Sequence, residues 1–218
     1  MHAFLRRAIG FCALVITSGT MSWAAGPETI DLPAPDRAGG KPLMAALNDR
    51  QSTRSFSSRP VPRDQLSNLL WAAFGINRTD PDHRTAPSAM NHQEIDLYVA
   101  LAEGLYLYEA KPHRLRRITE ADARPLTGGN AAIREAPAAL ILVADHARMP
   151  KAKPADRDFF TGIGAGYISQ NVYLYCASAG LATVVHELDR VKLAAAIKLR
   201  PEQRIVIAQT FGFPGNSR

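Results

Sequence analysis

The chain has 218 residues, of which 46% are hydrophobic and 21% charged, with a formal net charge of +6. That size and apolar content suit one ordinary domain with an ample core, and the small positive excess excludes a nucleic-acid binder by charge. Of the two cysteines, Cys12 falls in the N-terminal leader described next, so Cys176 stands alone and a mature chain has no internal disulfide.

Residues 1–24 read as a secretory signal. Arg6 and Arg7 precede a short apolar run from Ala8 to Gly19, and Ser22-Trp23-Ala24 fits a small-x-small cleavage site. The run is too short to cross a bilayer as a stable helix, so no stable membrane span is expected once it is removed. Arg6-Arg7 also admits a twin-arginine reading, a route that exports proteins already folded around a cofactor. By either route the expected location is the periplasm. Residues 25–41, rich in Pro and Gly, read as a flexible tether, and 42–218 as the domain.

Pro42 opens a short amphipathic helix ending near Arg50. Pro62 and Asp64 start a second, with Leu66, Leu69, Leu70, Ala73 and Phe74 at helical spacing and a stop at Gly75. Asn77 to Thr85 is polar and predicted to be a surface loop. Ile95, Leu97, Val99 and Leu101 alternate with Asp96, Tyr98 and Ala100, and Leu105 to Tyr108 repeats the alternation after a tight turn, so a β-hairpin is predicted, extended by His113 to Ile118. Ala131 to Glu135 is a short helix, and Leu140 to Ala144 a strand buried on both faces. Residues 145–160, with two prolines and alternating charges, are an irregular stretch and a plausible lid. Gly166 to Ala179 is apolar nearly all round, which predicts a helix buried in the core or a subunit interface, with Cys176 an inert thiol inside it. A strand through Val184 and Val185, a helix capped by Asp189 and a strand from Ile205 to Thr210 complete an α+β sandwich of helices and antiparallel strands.

Two segments carry the chemistry. In Arg50-Gln51-Ser52-Thr53-Arg54-Ser55-Phe56, two guanidinium groups four residues apart flank two hydroxyls, the donors that a phosphate and a conjugated dioxo ring need. The plain alternative is a polar helix end whose basic side chains offset the dipole. In Pro87-Ser88-Ala89-Met90-Asn91-His92-Gln93, a stiff turn offers amides before a strand; the plain alternative is a strand-capping turn. Gly162-x-Gly164-x-Gly166 lacks the strand and spacing of a dinucleotide fingerprint. The histidines are scattered without metal-ligand spacing, so no metal is expected. Cys176 to Gly180 ends a helix, where a hydrolase elbow needs a strand-to-helix turn.

Together the two segments resemble the nitroreductase family of FMN enzymes, in which R-x-S-x-R opens the domain and P-S-x-x-N-x-Q leads into a strand. The similarity extends over 42–214 and includes Gly212-Phe213-Pro214, which looks like the family's closing G-Y-P. It is nearest to the SagB-type branch, through Trp71 to Ile76, Arg84 to Ala89 and Gly104 to Tyr108. The resemblance implies a nitroreductase-like, mostly antiparallel sheet flanked by helices, working as a homodimer on a small-molecule acceptor, with neither that acceptor nor the electron donor named. It implies that Arg50 and Ser52 hold the FMN phosphate and ribityl chain, with Gln51 between them, and that Arg54 lies near flavin N1 and the C2 oxygen. By the same resemblance, Pro87, Ser88, Ala89 and Asn91 reach the flavin of the neighbouring subunit. Asn130 would bond the flavin edge, or else cap a helix; His186 and Glu187 would occupy the loop facing flavin N5; Arg218 is the one basic residue remaining beyond Gly212 to anchor the phosphate. The expected function is an exported FMN-dependent oxidoreductase in which the flavin performs the hydride chemistry. The alternative is an exported protein of the same fold that has lost electron transfer and serves as a ligand-binding or interaction protein.

Overall fold

The computed structural model describes residues 28–215, so the leader and Arg218 lie outside the described residues. The elements run β1 (Thr29–Asp31), α1 (Leu43–Asp49), α2 (Arg63–Phe74), β2 (Ile76–Thr79), β3 (Asp82–Arg84), β4 (Ile95–Leu101), β5 (Gly104–Glu109), β6 (Arg114–Thr119), α3 (Ala131–Arg134), β7 (Ala138–Asp145), α4 (Arg157–Ala179), β8 (Ala182–His186), α5 (Arg190–Ala196) and β9 (Gln203–Gly212). Seven strands form one sheet in the order β1-β6-β5-β4-β7-β9-β8, and every pair in it is antiparallel.

The period-two pattern divides the core between the two faces of this sheet. Leu97 and Val99 of β4, Tyr106 and Tyr108 of β5 and Leu140 and Leu142 of β7 face one way, against Leu69, Leu70 and Phe74 of α2 and Ile168, Val172 and Cys176 of α4. Tyr98 and Ala100, Leu105, and Ile141 and Val143 face the other way, where Leu193 of α5 and Ile197 cover them. All eight residues of β7 are buried, as expected of a central strand covered on both faces. The β4–β5 turn has two residues, and Gly104 follows it at φ +142; a Cβ there would lie 2.4 Å from the Thr119 carbonyl oxygen, so only glycine fits.

Three expectations need correction. The segment read as a tether is docked from its first described residues: Thr29–Asp31 pair with β6, and Ile30 and Leu32 are buried. Apolar residues at alternate positions outweighed the Pro and Gly composition. Asn77 to Thr85 is not an open loop but the small hairpin β2–β3. Residues 145–160 are not a lid. His146 and Met149 are buried, Arg148 donates to the Glu94 carbonyl (2.7 Å) and pairs with Asp96 (2.9 Å), and α4 begins at Arg157, nine residues before the predicted start. Glycines at 162, 164 and 166 concealed the helix, and tertiary packing overrode their weak propensity. Within one chain α4 turns Thr161, Gly164, Ala165, Ile168, Ser169, Val172 and Cys176 inward, while Phe159, Ile163 and Tyr167, spaced one turn apart, are exposed.

A polar relay fastens the N-terminal arm. The Ser67 hydroxyl donates to the Pro33 carbonyl (2.5 Å), so it accepts from His113 Nε2 (2.7 Å); His113 Nδ1 then accepts from the Tyr108 hydroxyl (2.9 Å). This assignment needs neutral His113, and burial pushes its pKa down, as it does that of His186. A histidine whose folded pKa lies below its unfolded value binds fewer protons in the fold. Stability is therefore lost as pH falls through the ordinary histidine range toward the depressed value. The thermal midpoint is expected to drop between about pH 7 and about pH 5, and His113→Gln to flatten that drop. An unchanged slope in the variant would remove His113 from the account.

Candidate functional site

Helix α1 ends at Asp49, and Arg50 leaves it at φ −59, ψ 120, turning the chain into an extended run along the free edge of β8. Backbone bonds hold that run in place. Thr53 N donates to Thr183 O (3.0 Å), Ser57 N to Phe213 O (2.9 Å), and Gly215 N to Ser55 O (3.0 Å). An extended run sends alternate side chains to opposite sides. Gln51, Thr53 and Ser55 line a cavity of about 540 Å³ with Tyr173, Cys176, Gly180 and Thr183. Arg50, Ser52 and Arg54 are not part of that lining.

Arg50 lies over the ring of Tyr173, 5.5 Å from its centroid, and the Ser52 hydroxyl is 2.9 Å from the Tyr173 hydroxyl. The same hydroxyl accepts from Val185 N (3.0 Å). Among the described residues neither Arg50 nor Arg54 has a carboxylate partner, whereas Arg114, Arg116, Arg124, Arg148, Arg190 and Arg200 each do. The Arg50 guanidinium and an exposed hydroxyl gathered on one tyrosine form a donor set suited to a phosphate dianion, and exposed Arg54 follows on the same run. Tyr173 belongs to this cluster although the sequence marked it only as one more residue of an apolar helix. Cys176, one turn on, has its thiol pushed up by complete burial and is inert.

Val185 leads directly into His186, so this cluster and the loop after β8 share one strand. His186 Nδ1 donates to its neighbour's carbonyl, Glu187 O (3.2 Å), which leaves Nε2 to accept from the Thr210 hydroxyl (2.8 Å). Glu187 is exposed, and its carboxylate is held by Arg190 (2.7 Å), whose hydrogen bond pulls its pKa down. The Glu187 side chain is thereby an ion-pair member, and what this loop offers inward is His186 and backbone. Gly128 packs against it: a Cβ on Gly128 would lie 3.3 Å from His186 Cε1. Asn130 follows, and its Oδ1 accepts from Ile133 N (3.0 Å) as the N-cap of α3. The capping reading therefore holds for that oxygen, and only the amide nitrogen remains to meet a ligand.

The second segment folds into a single 3-10 turn, Ala89–Asn91, with Met90 and Asn91 at φ +51 and +54. Ser88 Oγ accepts from Gln93 N (2.9 Å), and Gln93 Nε2 reaches Asn91 Oδ1 (3.1 Å) and Asp82 O (2.6 Å). Arg84 braces the turn, donating to Gln93 Oε1 (2.8 Å) and Phe74 O (3.0 Å). Asn91 therefore has a conformational role as well, since asparagine tolerates the left-handed region far better than a branched or apolar residue. Pro87, Met90 and Asn91 remain exposed.

Within one chain the two segments do not meet. The turn precedes β4 and the extended run flanks β8; β7 and β9 lie between those strands, a separation of roughly 14 Å at the ordinary strand spacing. The exposed large apolar side chains among the described residues are Leu43, Met44 and Leu47 of α1, Met90 of the turn, Phe159, Ile163 and Tyr167 of α4, and Val191 of α5.

The chain is similar in sequence and fold to known proteins. The model of the nitroreductase family matches residues 47–213. A candidate nitroreductase of Methanocaldococcus jannaschii is 31% identical over 169 residues, covering 72% of this chain and 83% of that protein. The crystal structure of a candidate nitroreductase of Ralstonia eutropha shares 44% identity and superposes with a TM-score of 0.84, covering 88% of this chain and 91% of that one. A candidate nitroreductase of Desulfovibrio desulfuricans, crystallised in complex with FMN, shares the fold at 20% identity, with a TM-score of 0.58 over 83% of this chain and 92% of that one.

Proposed function

Because the chain belongs to the nitroreductase family, we propose that it is an FMN-dependent oxidoreductase, active as a homodimer on a small-molecule acceptor. The observation that carries this reading is the donor set beside β8: Arg50 and the Ser52 hydroxyl gathered on Tyr173, with exposed Arg54 two residues further along the same run. Arg50 and Ser52 would hold the phosphate and ribityl chain, and Arg54 would place positive charge near the N1 side of the ring, favouring the anionic reduced form. When bound, FMN supplies the hydride and electron chemistry. The protein's part is to bind, orient and cover it, and no protein acid or base is required.

The turn at Pro87, Ser88, Ala89 and Asn91 would come from the second copy, which accounts for its exposure and its distance from Arg50 in one chain. The exposed residues of α1 and α4 are the surface proposed for that contact. Similarity of Trp71 to Ile76, Arg84 to Ala89 and Gly104 to Tyr108 to the SagB-type branch supports placing the chain there. The leader supports export, with the periplasm as the proposed location.

Sedimentation of the purified protein, followed at the flavin's visible absorption, tests cofactor and assembly together. The expected result is a coloured species at twice the mass of the mature chain. A colourless dimer would favour the alternative of a ligand-binding protein without redox activity. A coloured monomer would end the shared-site arrangement.

A further inference from the structure

We infer that Tyr173 is a positioning residue that presets Arg50 and Ser52 for a phosphate group, an inference that rests on the FMN reading above. Tyr173 stands on α4 between Val172 and Cys176, which is to say beside one fully buried residue and one turn from another, so its backbone is fixed by the core. Its side chain then makes three contacts at the end of that rigid mount. The Val185 N–H is a donor only, so the phenol oxygen accepts from it (3.0 Å) and the phenol proton is left to donate to Ser52 Oγ (2.9 Å). Ser52 then keeps its own proton for an acceptor outside the chain. Above the ring, the Arg50 guanidinium sits 5.5 Å from the centroid, within reach of the ring's negative face.

The bond to Val185 alone would serve the fold. The other two contacts do not, because Ser52 is exposed and Arg50 only half-buried, and holding them covers little apolar surface. What these contacts do is restrict two flexible donors before a ligand arrives, so less freedom is lost on binding. Arg54, also exposed, shows no comparable brace among the described residues. Tyr173 therefore acts on the phosphate end of the ligand and not on its ring, and this gives a test that separates positioning from general support.

Dissociation constants for FMN and for lumiflavin, which lacks both the phosphate and the ribityl chain, are measured on the wild type, Tyr173→Phe and Tyr173→Gln. Phenylalanine keeps the ring under Arg50 and removes the hydroxyl; glutamine removes the ring, and its shorter side chain leaves room for a water that bridges its amide to Ser52 and Val185. Each variant is expected to weaken FMN roughly tenfold while leaving lumiflavin within about twofold. If Tyr173→Phe does not fold because Val185 N is left unpaired, Tyr173→Gln carries the test. Equal weakening of both flavins, or no change in either, would overturn the inference and leave Tyr173 a structural pin. A wild type that binds neither flavin would overturn the FMN reading itself, and the inference with it.

Discussion

Arg50→Ala is expected to strip the flavin from the purified protein. A charge-assisted contact to phosphate is worth about 1.5–3 kcal/mol, or roughly ten- to hundredfold in affinity. The upper part of that range is expected because Arg50 has no competing carboxylate among the described residues and rests on the Tyr173 ring, so its geometry is set beforehand. Its removal should leave the fold intact: Arg50 caps no helix with its side chain and is absent from both core clusters. Titration of the apo-variant with FMN, read by quenching of flavin fluorescence, measures the loss, and a thermal melt of the same sample checks the fold. Retention of FMN at wild-type affinity would make Arg50 an ordinary helix-end residue.

Phe211→Ala should have the largest effect on stability. Phe211 is completely buried, stands opposite Ala138 of β7 and Thr183 of β8, and belongs to the core beneath α2 and α4. Truncating a buried phenylalanine removes its transfer free energy and leaves a cavity, at a cost of about 3–5 kcal/mol. Against a total of about 5–15 kcal/mol for an ordinary domain, this is a large share. Because Thr183 takes the Thr53 amide, loosening β8 should also loosen the run that carries Arg50 and Ser52. Denaturant unfolding of the apo-protein gives the stability change directly. A loss below about 1 kcal/mol would mean that neighbouring side chains collapse into the space.

The residues themselves made much of the molecule legible, for identifiable reasons. Alternation in Ile95–Leu101 and Leu105–Tyr108 is a local property with only one satisfactory burial, so the hairpin could be placed closely. The same holds for α2, whose stripe of Leu66, Leu69, Leu70 and Ala73 matches the helical period, and for the caps at Asp189 and Gly180, where single residues have a specific backbone role. Where composition and packing disagreed, composition misled. Pro and Gly in 25–41 suggested freedom, but Ile30 and Leu32 found a sheet edge to cover; prolines and charges in 145–160 suggested a lid, but Met149 and His146 found the core.

For the candidate site, the sequence by itself determined which residue types stand at which spacing: Arg50, Ser52 and Arg54 in one run, Ser88, Asn91 and Gln93 in another. It could not determine which of these share a side, because that depends on the direction in which the run at 50–57 meets β8. Only the tertiary structure set Gln51 in a cavity lining that Arg50, Ser52 and Arg54 do not share, gave the Asn130 side-chain carbonyl to a helix cap, tied Glu187 to Arg190, and brought Tyr173, more than a hundred residues distant, under Arg50 and against Ser52. The physical reason is one of range. Periodicity and capping are settled by neighbours within a turn or two of chain, whereas a polar contact between α4 and the edge of the sheet is settled by how the whole core stacks.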